Sequence, residues 1–344
     1  MPKDNENIPF LGPVEPSEPQ GFSAEQMIRC EECLRANPPT RVSCLYCVAP
    51  LPLTETSARL IKPVLRPPEK HQLGYNNILL PQDQAVSDEV ITAAAALLKL
   101  STENVREVVS HGVALPVART ASREESELVT GRLRELGLRC LNVSDAELGL
   151  SFSSDSVRRV RSMMFDDDSL TIQRAGAAEQ TNVSWSEIDL ILTGRLFETR
   201  LEITERMTRK AENEILNTSE FSWDEYVIDF YTTGHSSTWR VSGNGFDFSC
   251  LGREKALIVN ENMDRLLKLM SEKAVNAKVD DSYARVRSLL ELVWTTQAET
   301  QSSGWRRQGP GKLSVGASTT RSNETQFTRY SRLSFYLKAA DERR

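Results

Sequence analysis

The chain has 344 residues, of which 39% are hydrophobic and 26% charged, and its formal net charge is −6. This length predicts two or three globular domains, and the acidic balance argues against nucleic-acid binding by the whole chain. No apolar run approaches the roughly 18 residues of a membrane-spanning helix, and the first residues lack the apolar core of a secretory signal. We therefore expect a cytoplasmic protein with reduced thiols.

Proline marks the organisation of the N-terminal part, because 12 of the 15 prolines precede residue 69. Residues 1–25 are proline-rich and poor in large apolar side chains, so the sequence predicts disorder there. Residues 51–74 have the composition of a stiff, extended linker. Between these two segments, residues 26–50 contain most of the cysteine of the chain.

Four of the six cysteines form two matched pairs, C-x2-C and C-x2-C, separated by ten residues: Cys30, Cys33, Cys44 and Cys47. Each C-x2-C turn directs two sulfurs at one centre, and two such turns complete a tetrahedron around zinc. A site closed by four thiolates leaves no position for a reacting water, so the pattern predicts structural Zn²⁺. An iron–sulfur or redox dithiol site shares the C-x-x-C signature and stays open as an alternative.

Asn37 lies between the pairs, and the complete spacing C-x2-C-x3-N-x6-C-x2-C resembles a short zinc ribbon or a Ran-binding-protein-type zinc finger. That resemblance implies a small metal-folded module over residues 26–50. Ile28 occupies the position where the Ran-binding-protein type carries tryptophan, which favours the plain ribbon.

Residues 75–148 predict the element order strand, helix, helix, strand, helix, strand. Ser87, Ser101 and Ser122 are the expected N-caps of the three helices, and Glu125 would complete a capping box with Ser122. This βααβαβ order resembles the C-terminal domain of ribosomal protein L7/L12 and the related ClpS adaptor fold. The resemblance implies a small α/β sandwich that docks other proteins and performs no catalysis.

Residues 155–294 are rich in alternating apolar and polar residues, which predicts antiparallel strands, and they end in two amphipathic helical segments. An antiparallel β-domain closed by C-terminal helices resembles the pleckstrin-homology-like fold. That resemblance implies binding of peptides, proteins or phosphoinositides. The basic run at 158–161 alternates with apolar residues, so it favours a strand face over a lipid site.

The C-terminal part is basic, with 9 Lys and Arg against 4 Asp and Glu over residues 295–344. Residues 295–322 are polar and without apolar periodicity, which predicts a flexible linker. Residues 323–340 predict an amphipathic helix with an apolar stripe of Phe327, Tyr330, Leu333 and Leu337. Packing on the same chain, docking to a partner and binding at a membrane surface remain open for this helix.

The fold class expected from the whole sequence is multidomain α+β: a zinc ribbon, a small α/β sandwich, and an antiparallel β-domain closed by C-terminal helices. The sequence contains no phosphate-binding loop, zinc-protease or nucleophile-elbow motif, and no residue is assigned a catalytic role. We expect a non-enzymatic zinc-binding adaptor that contacts protein partners, and we expect no membrane role. The alternatives are a nucleic-acid- or ribosome-associated factor that uses the ribbon and the basic tail, and an enzyme with an unrecognised carboxylate site.

Overall fold

The computed structural model describes residues 21–341 except 53, 55–56, 58–59, 70–71, 151–156, 178, 208–213, 234–237 and 310–311. Of the segment predicted to be disordered, 1–25, residues 1–20 therefore lie outside the described residues. The chain divides into two compact units, Met1–Lys62 and Pro63–Arg344. Both helices and sheets are present, so the fold is multidomain α+β, as the sequence predicts.

The strands are β1 Ile28–Arg29, β2 Ala36–Asn37, β3 Tyr75–Leu79, β4 Leu115–Thr120, β5 Cys140–Ser144, β6 Val157–Phe165, β7 Ser169–Arg174, β8 Gln180–Ser184, β9 Ile188–Met207, β10 Glu214–Thr232, β11 Thr238–Ser242, β12 Lys278–Asp280, β13 Gln297–Gly309 and β14 Lys312–Ser322. The α-helices are α1 Asp88–Leu98, α2 Thr102–Ser110, α3 Arg123–Glu135, α4 Val259–Lys273, α5 Tyr283–Leu290 and α6 Glu324–Asp341. Within the described ranges, no helix has the length and apolar character that crossing a membrane requires.

Among its described residues, the N-terminal unit has very little regular structure. Strands β1 and β2 form a two-residue antiparallel pair, and a single bridge joins Ser43 to Pro50. Its small apolar core contains Ile28, Leu51 and two of the cysteines. So small a core supplies little hydrophobic stabilisation, and modules of this size normally need a metal or disulfides to fold.

The α/β segment has the predicted element order, β3-α1-α2-β4-α3-β5. Its three antiparallel strands lie in the order β4-β3-β5. The predicted N-caps are confirmed, because the side chains of Ser87, Ser101 and Ser122 accept hydrogen bonds from backbone N–H groups in the first turns of α1, α2 and α3. Each cap satisfies one of the donors that a helix start leaves unpaired.

Glu125 has a different role from the predicted capping box. Its carboxylate accepts hydrogen bonds from the backbone N–H groups of Val64 and Leu65, both at 2.7 Å, and of Arg66 at 3.3 Å. The second half of the segment predicted as a linker, 51–74, is thereby fixed to the start of α3. Leu65 also packs against the main core, so this part of the chain belongs to the folded unit.

In the part of the chain that the structure describes, the large sheet has nine strands in the order β13-β14-β9-β10-β11-β6-β7-β8, with β12 paired separately with β9. Most neighbours are antiparallel, as predicted, but β11–β6 and β12–β9 are parallel. Helix α4 packs its buried side chains, including Met263, Leu266 and Met270, into the core beneath this sheet.

The structure corrects the prediction of a flexible linker at 295–322. Strands β13 and β14 form a hairpin there, and β14 extends the sheet by pairing with β9 from Leu313 to Ser322. The segment lacks apolar periodicity because none of its described side chains belongs to a hydrophobic core. Backbone pairing with a long neighbouring strand is a long-range property that local composition does not reveal.

The predicted C-terminal helix exists as α6, and it packs on its own chain. Phe327 is 0% exposed, Tyr330 2% and Leu333 1%. These side chains share one core with the α/β segment and with α5. The segments predicted as separate domains, 75–148 and 155–294, thus have a common core because α5 and α6 contribute to it.

Helix α6 approaches the sheet closely at Gly194 of β9. A Cβ atom added there would lie 2.7 Å from Cδ2 of Phe327, which is closer than real Cβ contacts come. We expect Gly194→Ala to lower the free energy of unfolding of this unit by about 1–3 kcal/mol through overpacking. Urea unfolding followed by tryptophan fluorescence measures the change.

A matched control is Gly131→Ala in α3, where an added Cβ would meet nothing within 4 Å. Alanine is favoured over glycine in a helix interior by about 0.5–1 kcal/mol, so this variant should be as stable as the natural protein or more stable. Equal losses of stability in the two alanine variants would show that the close contact with Phe327 is not the reason why position 194 requires glycine.

Candidate metal centre

The first pair of cysteines lies on a tight knuckle. The N–H of Cys30 donates to the carbonyl of Arg35 at 2.9 Å, and the N–H of Leu34 donates to the carbonyl of Cys30 at 2.9 Å. Leu34 has φ +59°, a left-handed conformation that reverses the chain just after Cys33. These bonds hold the sulfurs of Cys30 and Cys33 on the same side of the turn.

The second knuckle repeats the first almost bond for bond. The N–H of Cys44 donates to the carbonyl of Ala49 at 2.8 Å, and the N–H of Val48 donates to the carbonyl of Cys44 at 3.1 Å. Val48 has φ +63°, in the position equivalent to Leu34. A branched residue in this conformation costs on the order of 1–3 kcal/mol and persists only where the surroundings dictate it. Two such residues at equivalent positions indicate that the placement of the sulfurs determines the backbone conformation of both loops.

The structure brings all four predicted ligands together: the sulfurs lie within 4.8 Å of one another. The Sγ atoms of Cys30 and Cys47 are 3.5 Å apart, as are those of Cys33 and Cys44. A disulfide requires about 2.05 Å, and all four thiols are free. Metal–sulfur bonds of about 2.3 Å in a regular tetrahedron place the sulfurs about 3.8 Å apart. The cluster therefore fits a four-thiolate metal ion.

The pKa values of the cysteine thiols also favour a bound cation. Burial raises the pKa of Cys44, but the N–H groups of Cys47 and Tyr46 and the side chain of Asn37 donate to its sulfur and lower that pKa to about 6. The N–H of Ala49 lowers the pKa of Cys47, but desolvation and the neighbouring sulfurs outweigh it and raise the pKa to about 12. Several thiolates so close together need a cation among them to ionise at neutral pH.

Asn37 connects the two knuckles from a fully buried position. Its Nδ2 donates to the carbonyl of Arg35 at 2.9 Å and to Sγ of Cys44 at 3.4 Å. Its Oδ1 accepts from the N–H of Leu45 at 2.8 Å. Groups that orient the ligands in this way tune a metal site without touching the ion. The spacing pattern draws attention to Asn37, but only the folded structure shows which groups it hydrogen-bonds.

The knuckles also carry large apolar side chains on their outer surface. Leu34 is 64% exposed, Leu45 51%, Tyr46 56% and Val48 76%. The guanidinium of Arg35 lies 4.7 Å from the ring centroid of Tyr46, so side chains from the two knuckles meet on the surface. We call Leu34, Leu45, Tyr46 and Val48 the knuckle surface.

A second concave site lies in the C-terminal unit, where sequence reasoning assigned none. It is a cleft of about 800 Å³ between the α/β segment, β12 and α6. Two of its carboxylates serve local structure: Asp280 accepts from the N–H of Ser282 at 2.9 Å, and Asp281 pairs with Arg285 at 3.3 Å. Residues this far apart in sequence meet only through the tertiary fold, so no local motif could predict the cleft.

Comparison of the chain with protein families, with curated protein sequences and with solved structures finds no match in any of the three. The functional argument therefore rests on the chemistry of the described residues.

Replacing Asn37 by alanine should weaken metal binding without removing a ligand. Loss of groups that orient metal ligands typically costs 10–100-fold in affinity, and we expect an Asn37→Ala effect in that range. Competition against a chromophoric chelator measures it, with Arg41→Ala, a surface change between the cysteine pairs, as the matched control. An Asn37→Ala affinity equal to that of the control would contradict the role assigned to the amide.

Proposed function

We propose that this chain is a non-enzymatic, cytoplasmic adaptor whose zinc-bound N-terminal module contacts a protein partner through the knuckle surface. The observation that carries the proposal is the exposure of four large apolar side chains on a module with almost no core of its own. Monomeric proteins seldom concentrate large apolar groups at the surface, and where they do the patch commonly contacts a partner.

Zinc is the proposed metal because the ligand set is four thiolates. Soft thiolate ligands select zinc, Cu(I) or iron–sulfur clusters, and tetrahedral S₄ geometry suits zinc or iron. The closed ligand shell supports a structural role, with Cys30, Cys33, Cys44 and Cys47 as the ligands. In such modules the binding energy of the metal is also the folding energy.

The proposed resemblances of the C-terminal unit to two known folds support a docking role. The βααβαβ order and the three-stranded antiparallel sheet support a sandwich like that of the L7/L12 C-terminal domain and the ClpS adaptor. The antiparallel strands β6–β8, together with β9–β11 and α4, support the pleckstrin-homology-like interpretation. Both likenesses are part of the proposal, and both imply binding of proteins or peptides.

One observation favours a nucleic-acid role instead. The exposed ring of Tyr46 with Arg35 above it resembles the stacked aromatic and arginine that single-strand binders use. A single aromatic makes a small platform, and two carboxylates of the cleft, Asp280 and Asp281, are engaged in structural bonds, so neither the nucleic-acid nor the enzymatic alternative is preferred.

The purified protein should contain about one zinc ion per chain, and Cys33→Ser should lose it while the C-terminal unit keeps its circular dichroism. Elemental analysis gives the metal content. The matched control is Cys140→Ser, which removes a buried strand thiol far from the cluster in sequence and should keep its zinc. Full zinc retention in Cys33→Ser would rule out the four-thiolate site.

The partner is tested by crosslinked capture with the full chain and a variant in which Leu45→Ser and Val48→Ser remove part of the knuckle surface. We expect this variant to keep its zinc, fold normally and lose the specifically captured protein. A Leu257→Ser variant is the control, because Leu257 is exposed but lies in the C-terminal unit. Capture that survives the double substitution would contradict the proposal, and ribonuclease-sensitive capture that falls steeply with salt would favour the nucleic-acid alternative.

A further inference from the structure

Three arginines lie around the turn that follows β5. Arg119 of β4 bonds the carboxylate of Asp145 in this turn. Arg332 of α6 donates to two backbone carbonyls of residues 145–149, so one side of the helix faces the turn. Arg329 precedes Arg332 by three residues, and side chains at that spacing lie on the same side of a helix. The fold therefore brings Arg119 and Arg329 to one place, from β4 and from α6.

Asp145 is 1% exposed, and its carboxylate is already engaged. Its Oδ2 accepts from the N–H of Gly74 at 2.8 Å and from the guanidinium of Arg119, and its Oδ1 accepts from Nδ2 of Asn76 at 2.9 Å. Burial raises the pKa of Asp145, but Arg119 and the other donors outweigh burial and lower that pKa. The carboxylate is therefore ionised, and its charge is used by Arg119.

Arg329 lacks an equivalent partner. Its guanidinium makes no hydrogen bond or ion pair with the residues that the structure describes, and its Nε is enclosed by protein. Burial lowers the pKa of Arg329 most, the charge of Arg119 lowers it further, and Asp145 offsets only part of this, which leaves the pKa at about 10. The group is still a cation at neutral pH. A buried cation without bonds is costly, so a bonding partner from outside the chain would stabilise it.

Both guanidiniums are partly accessible. Arg329 is half-buried as a whole, and the side chain of Arg119 is 16% exposed. The Nε of Arg119 also lacks a hydrogen-bond partner among the described residues. Arg119 and Arg329 carry two positive charges against the single negative charge of Asp145, so the three groups together have a net positive charge. Accessible guanidiniums with such a surplus of charge attract an oxyanion.

The number of unpaired donors favours a phosphate group over a carboxylate as that oxyanion. A guanidinium has five N–H donors, and the enclosed Nε of Arg329 leaves the N–H groups of the two Nη atoms for a ligand. A carboxylate offers two oxygens in one plane, whereas a phosphate group offers at least three oxygens that point in different directions. A phosphate group is therefore better suited to accept from two guanidiniums that come from different elements.

We propose that Arg329 and Arg119 bind a phosphate group of a small solute beside the turn 145–149. Arg329 supplies the unpaired donors, and Arg119 adds a second positive charge. Asp145 is a positioning residue, because its bond to Arg119 fixes that guanidinium. The inference does not depend on the metal centre or on the adaptor role.

Equilibrium dialysis of the full, zinc-loaded chain against radiolabelled inorganic phosphate, at constant ionic strength, tests the site. We expect saturable binding of about one phosphate per chain. Arg329→Met should weaken this binding about 10–100-fold, because it removes hydrogen bonds to a charged group. The matched control is Arg253→Met, which removes an exposed arginine of the same unit and should bind phosphate as the natural protein does.

Competition with unlabelled solutes identifies the ligand. O-phosphoserine that displaces the label more strongly than free phosphate does would indicate a phosphate ester, and weaker displacement would indicate free phosphate; both results support the site. Acetate that displaces the label as well as unlabelled phosphate does would overturn the assignment to phosphate.

Thermal unfolding separates ligand binding from a structural role of Arg329. All five tryptophans lie in the C-terminal unit, so their fluorescence reports on that unit. In chloride buffer, Arg329→Met should unfold at the midpoint of the natural protein or above it, because it removes a buried cation that no described residue bonds. Phosphate should raise the midpoint of the natural protein and of Arg253→Met, but not that of Arg329→Met.

Lack of saturable phosphate binding by the natural protein would overturn the proposal, as would equal phosphate affinities of Arg329→Met and Arg253→Met. A lower midpoint of Arg329→Met in chloride, with no effect of phosphate on the natural protein, would show that Arg329 has a structural role instead. If Arg329→Met does not fold, Arg329→Lys replaces it in both measurements, because lysine keeps the charge and loses the paired donors.

Discussion

A buried arginine determines how the C-terminal unit is assembled. Arg240 is fully buried, and its guanidinium makes two bonds to Asp229, at 2.7 and 2.9 Å. It also reaches helix α6, through Glu324 at 3.1 Å and Thr328 at 3.0 Å, and lies over the ring of Phe327. Burial lowers the pKa of this arginine, but the carboxylate of Asp229 outweighs it and raises the pKa above its ordinary value. A charge so placed is tolerated only when all its partners are present, so the sheet and α6 must come together.

That requirement makes α6 a central element of the unit rather than an appendage. From the same helix, Arg332 donates to the carbonyls of Leu148 and Gly149, shortly after β5, the last strand of the α/β segment. The indole N–H of Trp294 donates to Asn76 of β3 at 2.9 Å. Polar bonds and a shared apolar core thus unite two segments that look independent in the sequence. The described residues of the N-terminal module form only a small apolar core, and its four cysteines lie close enough together to hold a metal ion.

Local signals predicted local structure well. The serines at 87, 101 and 122 identified three helix starts because an N-cap acts within one turn, and the paired cysteines identified the four-cysteine cluster because ligand spacing is itself local. Glu125 carried the same local signature but serves a distant segment, since backbone N–H groups of 64–66 compete for its carboxylate. The β13–β14 hairpin was missed because its order comes from β9, far away in sequence. The knuckle surface was missed because an apolar residue in a small module looks like core until its exposure is known.

The central claim is that four thiolates hold one zinc ion and thereby shape the surface offered to a partner. Equivalent hydrogen bonds in both knuckles, left-handed residues at equivalent positions and the buried amide of Asn37 all act to converge the sulfurs. X-ray absorption at the metal edge of the protein as purified tests the claim most directly. The account predicts a zinc edge with four sulfur neighbours at about 2.3 Å and no nitrogen or oxygen in the first shell. An iron edge, or a zinc shell containing nitrogen or oxygen ligands, would contradict it.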